Sequence, residues 1–474
     1  MPPISKTEVA IIGSGPGGYV AGIRLGQLGK KAIVVEKDEV GGVCLNVGCI
    51  PSKALITASK LVKNARTASR MGIDAELTVD LQRLQEWKQS VVSKLTGGVS
   101  SLLKAYKVPV LRGTASLVSK NELQLVDGDE SVSRIQFDYA VLATGSSSVE
   151  LPNLKFDGKR IISSTEALSL KSPPKSMLIV GGGVIGLEIG MAYANLFGTQ
   201  LTIVELLDQL LPGVNLELVN QVVRSLQRMG AKIHLKSRVK LGVVSSDKVK
   251  VTFETPDGTE LSEEIEYVLV SVGRKPNSKG IGLEAAGIET DQKGFVKVDK
   301  QMRTNVPNIY AIGDLVGLPL LAHKASREAI VAAEVISGIK SSFDNVAIPA
   351  AIFTDPEIAV VGLSEAEAAA RGLKTRVGKF PFAANGRALA SLESEGFSKV
   401  ITDSETGLLL GLEIVGQEAS DLVSEGTLAL EMGATAEDIA LTIHPHPTLP
   451  ETIMEAAENS LGKAIHIQNR PPRS

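Results

Sequence analysis

The chain contains two cysteines, Cys44 and Cys49, with four residues between them. Cysteines this close in sequence can form a disulfide only where the backbone turns sharply, and Gly48 permits such a turn. Pro51 suits the first turn of a following helix, whose N-terminal end would stabilise a thiolate. A disulfide that closes so small a loop would add little to stability. The pair is therefore predicted to be redox-active and not a structural crosslink.

A metal site at these cysteines is the alternative that the spacing argues against. The two residues do not form a CxxC pair, and the first histidine in the chain is His234. We therefore predict no metal site. Lys53 lies one helical turn after Cys49 and on the same helix face. Its ammonium group is a candidate to point at an electron-rich cofactor, with Glu188 as its candidate partner if both are buried.

One nucleotide-binding pattern occurs twice in the sequence. Each copy has a short apolar strand, a GxGxxG turn, a helix, and a second strand that ends in an acid. The glycines allow a tight turn and a close approach of the backbone to a pyrophosphate, and the acid accepts hydrogen bonds from a ribose. The first copy has strand 8–12 with Gly13, Gly15, Gly18 and Glu36, and the second has Gly181, Gly182, Gly183, Gly186 and Glu205.

The residues after Glu205 distinguish NAD from NADP. They are Leu206 and Leu207, so no arginine stands there to bind a 2′-phosphate, and the Glu205 carboxylate would repel one. NAD is therefore the predicted nicotinamide cofactor. Three further apolar elements lie at 138–148, 266–277 and 306–314. They would bring small residues close to the cofactors, and the last of them ends in Asp314, whose carboxylate is a candidate ligand for a polyol hydroxyl.

The segment from His444 to Pro447 carries two of the chain's five histidines. Prolines flank His446, and Glu451 follows at the expected start of a helix. A carboxylate on one ring nitrogen would orient the imidazole and make the other nitrogen more basic. Thiol–disulfide exchange needs a base that takes a proton from the incoming dithiol. His446 is our candidate for that base, and Glu451 for the group that orients it.

The composition excludes several classes of function. The formal net charge of the 474 residues is −3, so no basic field exists to attract nucleic acid or an anionic membrane surface. We find no charge-free apolar run long enough to span a membrane, and the N-terminal segment lacks the pattern of a signal peptide. With two neighbouring cysteines, these features indicate a cytoplasmic protein. The length predicts about three domains.

Together these motifs resemble those of the pyridine nucleotide-disulfide oxidoreductases. The shared motifs are GGxCxNxGCxPSK at 41–53, the two GxGxxG turns, ATG, AIGD and HPHPTxxE, and the resemblance covers essentially the whole chain. It implies an α/β fold with two Rossmann-like dinucleotide-binding domains, a central region and a C-terminal α+β dimerisation domain. The implied boundaries are 1–148 for the FAD domain, 149–273 for the NAD domain, 274–345 for the central domain that completes the FAD site, and 346–474 for the interface of a homodimer.

The resemblance also implies roles for individual residues. Cys44 would exchange with the substrate disulfide, and Cys49 would face the flavin as the charge-transfer thiol. The other implied catalytic residues are Lys53 and Glu188, paired near the flavin, and His446 and Glu451, which would act on the cysteine pair of the other subunit. The implied FAD contacts are Gly13, Gly15, Gly18, Glu36, Lys37, Gly42, Lys53, Ala115, Gly145, Asp314 and Ala322. The implied NAD contacts are Gly181, Gly182, Gly183, Gly186, Glu205, Val239 and Gly273.

Within the family, the motifs are most similar to the branch that oxidises dihydrolipoamide with NAD+. This activity implies lipoyl domains of acyltransferases or glycine cleavage carrier proteins as partners, inside 2-oxoacid dehydrogenase or glycine cleavage complexes. Mercuric-ion reductases carry a further C-terminal cysteine pair, but this chain has no cysteine after Cys49. Glutathione reductases use NADP. Val43 stands where many members have threonine, which leaves the fine tuning of the flavin open.

Two alternatives of other kinds are left open by the sequence. One is a non-catalytic docking subunit of a multienzyme complex, against which the intact Cys44, Cys49 and His446 argue. The other is a flavin NADH oxidase, which would not need this cysteine pair.

Overall fold

The computed structural model of the protein describes residues 5–128 and 131–469. The described residues form two compact units. Unit 1 takes in Met1–Pro173 and Val270–Asp344, and unit 2 takes in Pro174–Leu269 and Asn345–Ser474, each within the described ranges.

The strands and helices are named here in chain order. The strands are β1 (Lys6–Ile12), β2 (Ala32–Glu36), β3 (Val110–Arg112), β4 (Thr114–Ser119), β5 (Glu122–Val126), β6 (Val132–Leu142), β7 (Ser146–Ser148), β8 (Ile161–Ile162), β9 (Ser176–Val180), β10 (Gln200–Val204), β11 (Lys232–His234), β12 (Arg238–Val244), β13 (Val249–Glu254), β14 (Glu260–Ile265), β15 (Tyr267–Val270), β16 (Arg274–Pro276), β17 (Ile309–Ala311), β18 (Ala350–Ile352), β19 (Glu357–Gly362), β20 (Thr375–Pro381), β21 (Phe397–Asp403) and β22 (Leu409–Gly416). The α-helices are α1 (Pro16–Gln27), α2 (Gly42–Val47), α3 (Cys49–Thr67), α4 (Leu81–Ala105), α5 (Ser164–Ala167), α6 (Val184–Phe197), α7 (Leu216–Arg228), α8 (Leu283–Ala286), α9 (Ala322–Ile336), α10 (Glu365–Ala370), α11 (Gly386–Ala390), α12 (Ala419–Met432), α13 (Ala436–Leu441) and α14 (Glu451–Ser460). Short 3-10 turns occupy Ala68–Met71, Gly313–Val316 and Phe382–Ala384.

Polar residues at the helix starts explain where several helices begin. The Asp80 side chain accepts a hydrogen bond from the backbone N–H of Arg83 at the start of α4. Asn215 caps α7 in the same way, and Thr435 forms a reciprocal capping box with Asp438 at the start of α13. Such caps satisfy N–H groups that have no partner inside the helix.

A mainly parallel sheet forms the centre of unit 1, in the order β3-β2-β1-β6-β5-β4, with β17 also beside β6. β1 pairs in parallel with both β2 and β6. Side chains alternate across a strand, so Val9 and Ile11 enter one apolar core while Ala10 and Ile12 enter the other. Both faces of the sheet are therefore covered, as in a doubly wound fold. This places the first glycine turn at the carboxyl end of β1, where such folds bind ligands.

Unit 2 repeats the parallel arrangement on a smaller scale. β9, β10 and β11 pair in parallel, and β15 lies beside β9. The strands β12, β13 and β14 form an antiparallel sheet. The C-terminal part is a second antiparallel sheet in the order β18-β19-β22-β21-β20, whose apolar core includes Leu412 of β22, Leu422 of α12 and Ile453 of α14. Among the described residues, no helix combines the length and the apolarity needed to cross a membrane.

The predicted α/β class with two Rossmann-like sheets is confirmed. The segment 266–277 was expected to form one parallel element, and its second half does not. It is two strands, β15 and β16, and β16 pairs antiparallel with β7 of unit 1. The reason is Gly273, whose φ of 119° turns the chain between them.

Candidate active site

The two cysteines lie on short helices that meet at Gly48. Cys44 is inside α2, and Cys49 is the first residue of α3. A Cβ atom at position 48 would lie 2.8 Å from the carbonyl oxygen of Val43. Any side chain there would collide with the backbone of α2, so the turn between the cysteines needs glycine. The helix start predicted near Pro51 is confirmed, with Cys49 at its N-terminal end.

Both cysteines are thiols in this structure, with Cys49 exposed and Cys44 partly buried. A hydrogen bond with Cys49 is the main cause that raises the pKa of the Cys44 thiol, burial adds to it, and the charge of Lys53 acts in the opposite direction. Ionisation of the Cys44 thiol is therefore disfavoured in the reduced pair. Cys49 stands at the N-terminus of α3, where the backbone dipoles would favour a thiolate.

Two side chains of unit 1 that the sequence reasoning missed lie within electrostatic range of this pair. Burial raises the pKa of the Tyr19 phenol, and the charges of Cys44 and Cys49 raise it further. Burial lowers the pKa of Arg274, and the charges of Asp314 and Cys49 oppose that effect. The one available sequence signal for Arg274 was its position directly after Gly273.

The first glycine turn packs so tightly that two of its positions exclude a side chain. A Cβ on Gly13 would lie 2.4 Å from the carbonyl oxygen of Ala143, and a Cβ on Gly18 would lie 1.9 Å from that of Gly13. Gly15, which precedes α1, has nothing within 4 Å of its Cβ position. The turn thus leaves open space in front of the α1 N-terminus, where N–H groups can bind a pyrophosphate.

Glu36 is fixed beside this turn at the end of β2. The buried carboxylate accepts hydrogen bonds from the N–H and the Oγ of Ser14, at 2.8 and 2.6 Å, and from the N–H of Asp38 at 2.9 Å. This is the position that a ribose ligand requires. Lys37, the next predicted contact, is exposed and pairs with Asp38 at 3.7 Å.

The cysteine segment rests directly on the first glycine turn. The N–H of Gly41 donates to the carbonyl oxygen of Ser14 at 3.0 Å. A Cβ on Gly42 would lie 2.8 Å from the Cα of Gly15. The cysteines are therefore held next to the predicted pyrophosphate position. The other predicted FAD contacts in unit 1 are Ala115, buried in β4, Gly145, with a φ of 69°, and Ala322, the first residue of α9.

Asp314 lies in the 3-10 turn Gly313–Val316, at the end of β17. Its Oδ2 accepts a hydrogen bond from the Ser146 hydroxyl at 2.5 Å. The same hydroxyl accepts one from Nε of Arg274 at 2.7 Å, and Nη2 of Arg274 donates to the Ser146 carbonyl oxygen at 2.6 Å. Arg274 thus orients the Asp314 carboxylate through Ser146. A carboxylate held in this way suits a polyol hydroxyl, because the carboxylate only accepts hydrogen bonds and the hydroxyl can donate one.

The second glycine turn belongs to unit 2 and has the same plan. Glu205 is buried at the end of β10 and accepts hydrogen bonds from the N–H groups of Gly182 and Leu207, at 2.6 and 2.7 Å. Leu206 beyond it is exposed. The predicted residues Gly181 and Gly183 precede α6, Gly186 lies in its first turn, and Val239 is buried in β12. Gly273, the last predicted NAD contact, falls in unit 1.

The predicted base lies in unit 2. Nδ1 of His446 is 2.8 Å from Oε1 of Glu451, and Oε2 of Glu451 accepts the N–H of Thr448 at 2.7 Å. Burial acts to raise the pKa of Glu451, but the bonds from Thr448 and His446 outweigh it, and the net shift is downward. An ionised Glu451 accepts a hydrogen bond from the N–H at Nδ1 and leaves the lone pair of Nε2 to accept a proton. The ring is 79% exposed, so Nε2 can be reached.

Lys53 and Glu188 are placed in different units. Lys53 is half-buried on α3 of unit 1. Glu188 is buried on α6 of unit 2, where it accepts the N–H of Phe353 at 2.8 Å. Their pairing stays a prediction.

Comparisons with known proteins agree with this geometry. The family model described as pyridine nucleotide-disulphide oxidoreductase matches residues 7–329. The chain belongs to this family. The model of the dimerisation domain of pyridine nucleotide-disulphide oxidoreductases matches residues 348–457, so the chain carries that domain too, which supports a homodimer.

Relatives and solved structures match nearly the whole length. Dihydrolipoyl dehydrogenase of Bacillus subtilis is 52% identical over 464 residues, which are 98% of this chain and 98% of that protein. Dihydrolipoyl dehydrogenase of Geobacillus stearothermophilus is 50% identical over 463 residues, again 98% of both chains. The crystal structure of LpdA from Mycobacterium tuberculosis is 27% identical with a TM-score of 0.88, and the match covers 96% of this chain and 99% of that one.

Membership of the pyridine nucleotide-disulphide oxidoreductases confirms several predictions. The chain is an oxidoreductase with a disulfide redox centre, and its cofactors are FAD and NAD. The glycine turns fit these cofactors, because Gly15 leaves room for a phosphate and Glu36 and Glu205 present carboxylates to a ribose. The individual site residues and the domain boundaries stay predictions.

Proposed function

We propose that the protein oxidises dihydrolipoamide to lipoamide and that the Cys44–Cys49 disulfide accepts the electrons, with NAD+ as the final acceptor. The observation that carries the proposal is the cysteine turn: one sulfur lies at the start of α3, and Gly42 packs the turn against Gly15. Relatives 52% and 50% identical to the chain are named dihydrolipoyl dehydrogenase.

The two cysteines have different tasks in this reaction. A substrate thiolate attacks the sulfur of Cys44, which breaks the Cys44–Cys49 bond and releases Cys49 as a thiolate. The second substrate thiol then attacks the substrate sulfur of the mixed disulfide, which closes the lipoamide ring and releases Cys44. The helix N-terminus supports this order because it stabilises the leaving thiolate. When bound, FAD supplies the two-electron chemistry that links the reduced pair to NAD+.

His446 takes the protons that the dithiol loses in these steps. Its distance of 2.8 Å from the Glu451 carboxylate supports this assignment, since it fixes which ring nitrogen is basic. In the proposed homodimer, His446 of one subunit acts on the cysteine pair of the other. Lys53 and Glu188 pair near the flavin, where the charge of Lys53 also favours a thiolate.

The cofactor contacts and the domains follow the same proposal. FAD is bound by Gly13, Gly15, Gly18, Glu36, Lys37, Gly42, Lys53, Ala115, Gly145, Asp314 and Ala322. NAD is bound by Gly181, Gly182, Gly183, Gly186, Glu205, Val239 and Gly273. The domains are 1–148 for FAD, 149–273 for NAD, 274–345 as the central domain and 346–474 as the dimer interface.

The partners in this proposal are lipoyl domains of acyltransferases or glycine cleavage carrier proteins, which bring the dithiol to the site. A cytoplasmic location suits a thiol pair that must cycle between two redox states. A docking subunit without catalysis would bind the same complexes but would form no NADH from dihydrolipoamide.

Single cysteine variants of the holoenzyme test the proposal. We expect Cys49→Ser to lose both NADH formation from dihydrolipoamide and the long-wavelength absorbance that a thiolate gives beside an oxidised flavin. Cys44→Ser should also lose turnover but keep that absorbance, because the thiolate of Cys49 is still present. Visible spectra and an NADH assay measure both. Turnover in either variant, or the same absorbance in both, would contradict the division of tasks.

A further inference from the structure

A buried ion pair ties the turn Gly313–Val316 to α9. Nζ of Lys324 lies 2.8 Å from Oε1 of Glu328, and the two side chains are 7% and 3% exposed. Oε2 of Glu328 accepts the N–H of Gly313 at 2.7 Å, and Nζ of Lys324 donates to the carbonyl oxygen of Gly317 at 3.2 Å. One pair of charges therefore holds the backbone on both sides of Asp314.

Stability alone does not account for this pair. Removing two charges from water is costly, and well-packed apolar residues of similar volume often stabilise a fold as well as a buried ion pair does. What apolar residues could not supply is the acceptor for the N–H of Gly313 and the donor for the carbonyl of Gly317. The ion pair therefore fixes the position of the backbone at both ends of the turn.

Glu328 also acts on Asp314 through its charge. Burial is the main cause that raises the pKa of Glu328, Lys324 and the N–H of Gly313 oppose it, and the nearby Asp314 adds to it. Two carboxylates at close range repel each other. This repulsion favours the orientation in which Asp314 turns to its donor, the hydroxyl of Ser146, 2.5 Å away.

We propose that Lys324 and Glu328 are positioning residues for FAD, which fix the Gly313–Asp314 turn so that the Asp314 carboxylate meets a hydroxyl of the flavin's polyol chain. The inference rests on the FAD contact proposed for Asp314. Neither residue touches the cofactor in this scheme. Both act on it through the backbone and the carboxylate of the turn.

The test measures FAD binding separately from folding. In Glu328→Gln, the neutral side chain can serve Lys324 or Gly313 but not both, so we expect the FAD dissociation constant to rise about tenfold or more, as when a buried hydrogen bond to a charged group is lost. Flavin fluorescence on dilution of the holoenzyme gives this constant, and circular dichroism reports folding. The matched control is Glu413→Gln, which breaks the buried pair of Glu413 with Lys399 in unit 2. It should lower stability but leave FAD affinity within about twofold of the wild type.

Two further variants keep the test decisive. Lys324→Met/Glu328→Met removes both charges with little loss of volume, so it should fold while its FAD affinity stays low. If this folded variant binds FAD as tightly as the wild type, the inference is wrong. In Asp314→Ala, the added change Glu328→Gln should cost little further affinity, since both act through one carboxylate. If the losses of FAD affinity in Asp314→Ala and Glu328→Gln simply add in the double variant, the inference is also wrong.

The outcome for Asp314 separates the two proposals. If Asp314→Ala loses affinity and Glu328→Gln does not, the positioning role alone is wrong. If Asp314→Ala binds FAD normally, the proposed contact of Asp314 is wrong, and the inference fails with it.

Discussion

Replacing Glu451 by glutamine should disable the base without disturbing the rest of the site. Glu451 accepts two hydrogen bonds, from Nδ1 of His446 at 2.8 Å and from the N–H of Thr448 at 2.7 Å. The two donors bind different carboxylate oxygens, Oε1 and Oε2, and glutamine replaces one of these oxygens by an amide NH2 that cannot accept a hydrogen bond. If it keeps the bond from Thr448, its amide N–H faces Nδ1 and forces the imidazole hydrogen onto Nε2. That tautomer cannot take a proton from the dithiol at Nε2.

The size of the effect follows from the lost bond. A hydrogen bond to a charged group contributes about 1.5–3 kcal/mol, which corresponds to roughly ten- to hundredfold in rate. We expect a loss of that size in NADH formation from dihydrolipoamide by Glu451→Gln. Oxidation of NADH by an artificial acceptor does not need the base and should change less than about twofold on the same scale.

The pH dependence of the wild type provides a second check on Glu451. Its pKa is lowered from the ordinary value of 4.5, so the carboxylate stays ionised at neutral pH. The stabilisation that Glu451 contributes to the fold is present above pH 4.5, and it is lost as the pH falls through the lowered pKa of the folded state.

For Glu451→Gln, the measurement is the ratio of NADH formation from dihydrolipoamide to NADH oxidation by the artificial acceptor. Equal losses in both assays would refute the reasoning.

Three other predictions concern the scaffold around the site. Lys399→Met should cost about 3–5 kcal/mol of unfolding free energy, because it leaves the buried Glu413 without its cation, and Glu413→Met in the same chain should restore most of it in urea titrations. Burial lowers the pKa of Lys399, but hydrogen bonds from it to Glu413 and Glu365 prevail and raise it, so the stabilisation that Lys399 contributes should be complete at neutral pH and decline only in strong base; burial raises the pKa of Glu413, so this basic limit belongs to Lys399 alone. Glu205→Ala with Leu206→Arg should raise the kcat/KM ratio of NADP+ to NAD+ by tenfold or more, roughly the value of one charged hydrogen bond, and an unchanged ratio would mean that Glu205 does not contact the ribose. Gly48→Ala should abolish lipoamide turnover while the FAD content stays normal, because its Cβ would lie 2.8 Å from a carbonyl oxygen of α2; normal turnover would show that the turn tolerates a side chain.

The residues that sequence reasoning found are those whose type and local spacing carry the signal. The glycines of the first turn are one case: Gly13 and Gly18 are required by contacts within a strand–turn–helix segment. The pairing of His446 with Glu451 is another, since only four residues lie between them and two of those are prolines that restrict the loop.

The residues that it missed depend on contacts between distant segments. Arg274 and Ser146 were missed: they form one hydrogen-bonded series with the predicted Asp314, although more than a hundred residues separate Ser146 from Arg274. Lys324 and Glu328 have the spacing of an ordinary surface pair on a helix, and only the tertiary structure buries them. Burial is decided by packing, which neither composition nor periodicity gives.

The contact of 2.8 Å between the Cβ position of Gly42 and the backbone of Gly15 has a consequence for protein engineering. The glycine turn and the cysteine segment are separate motifs in the sequence, but position 42 of the cysteine segment has no room for a side chain where it touches the backbone of the glycine turn. The cysteine motif is therefore not portable: grafted alone onto another nucleotide-binding fold, it would meet a backbone of a different shape. A transplanted redox centre would have to bring its glycine turn with it.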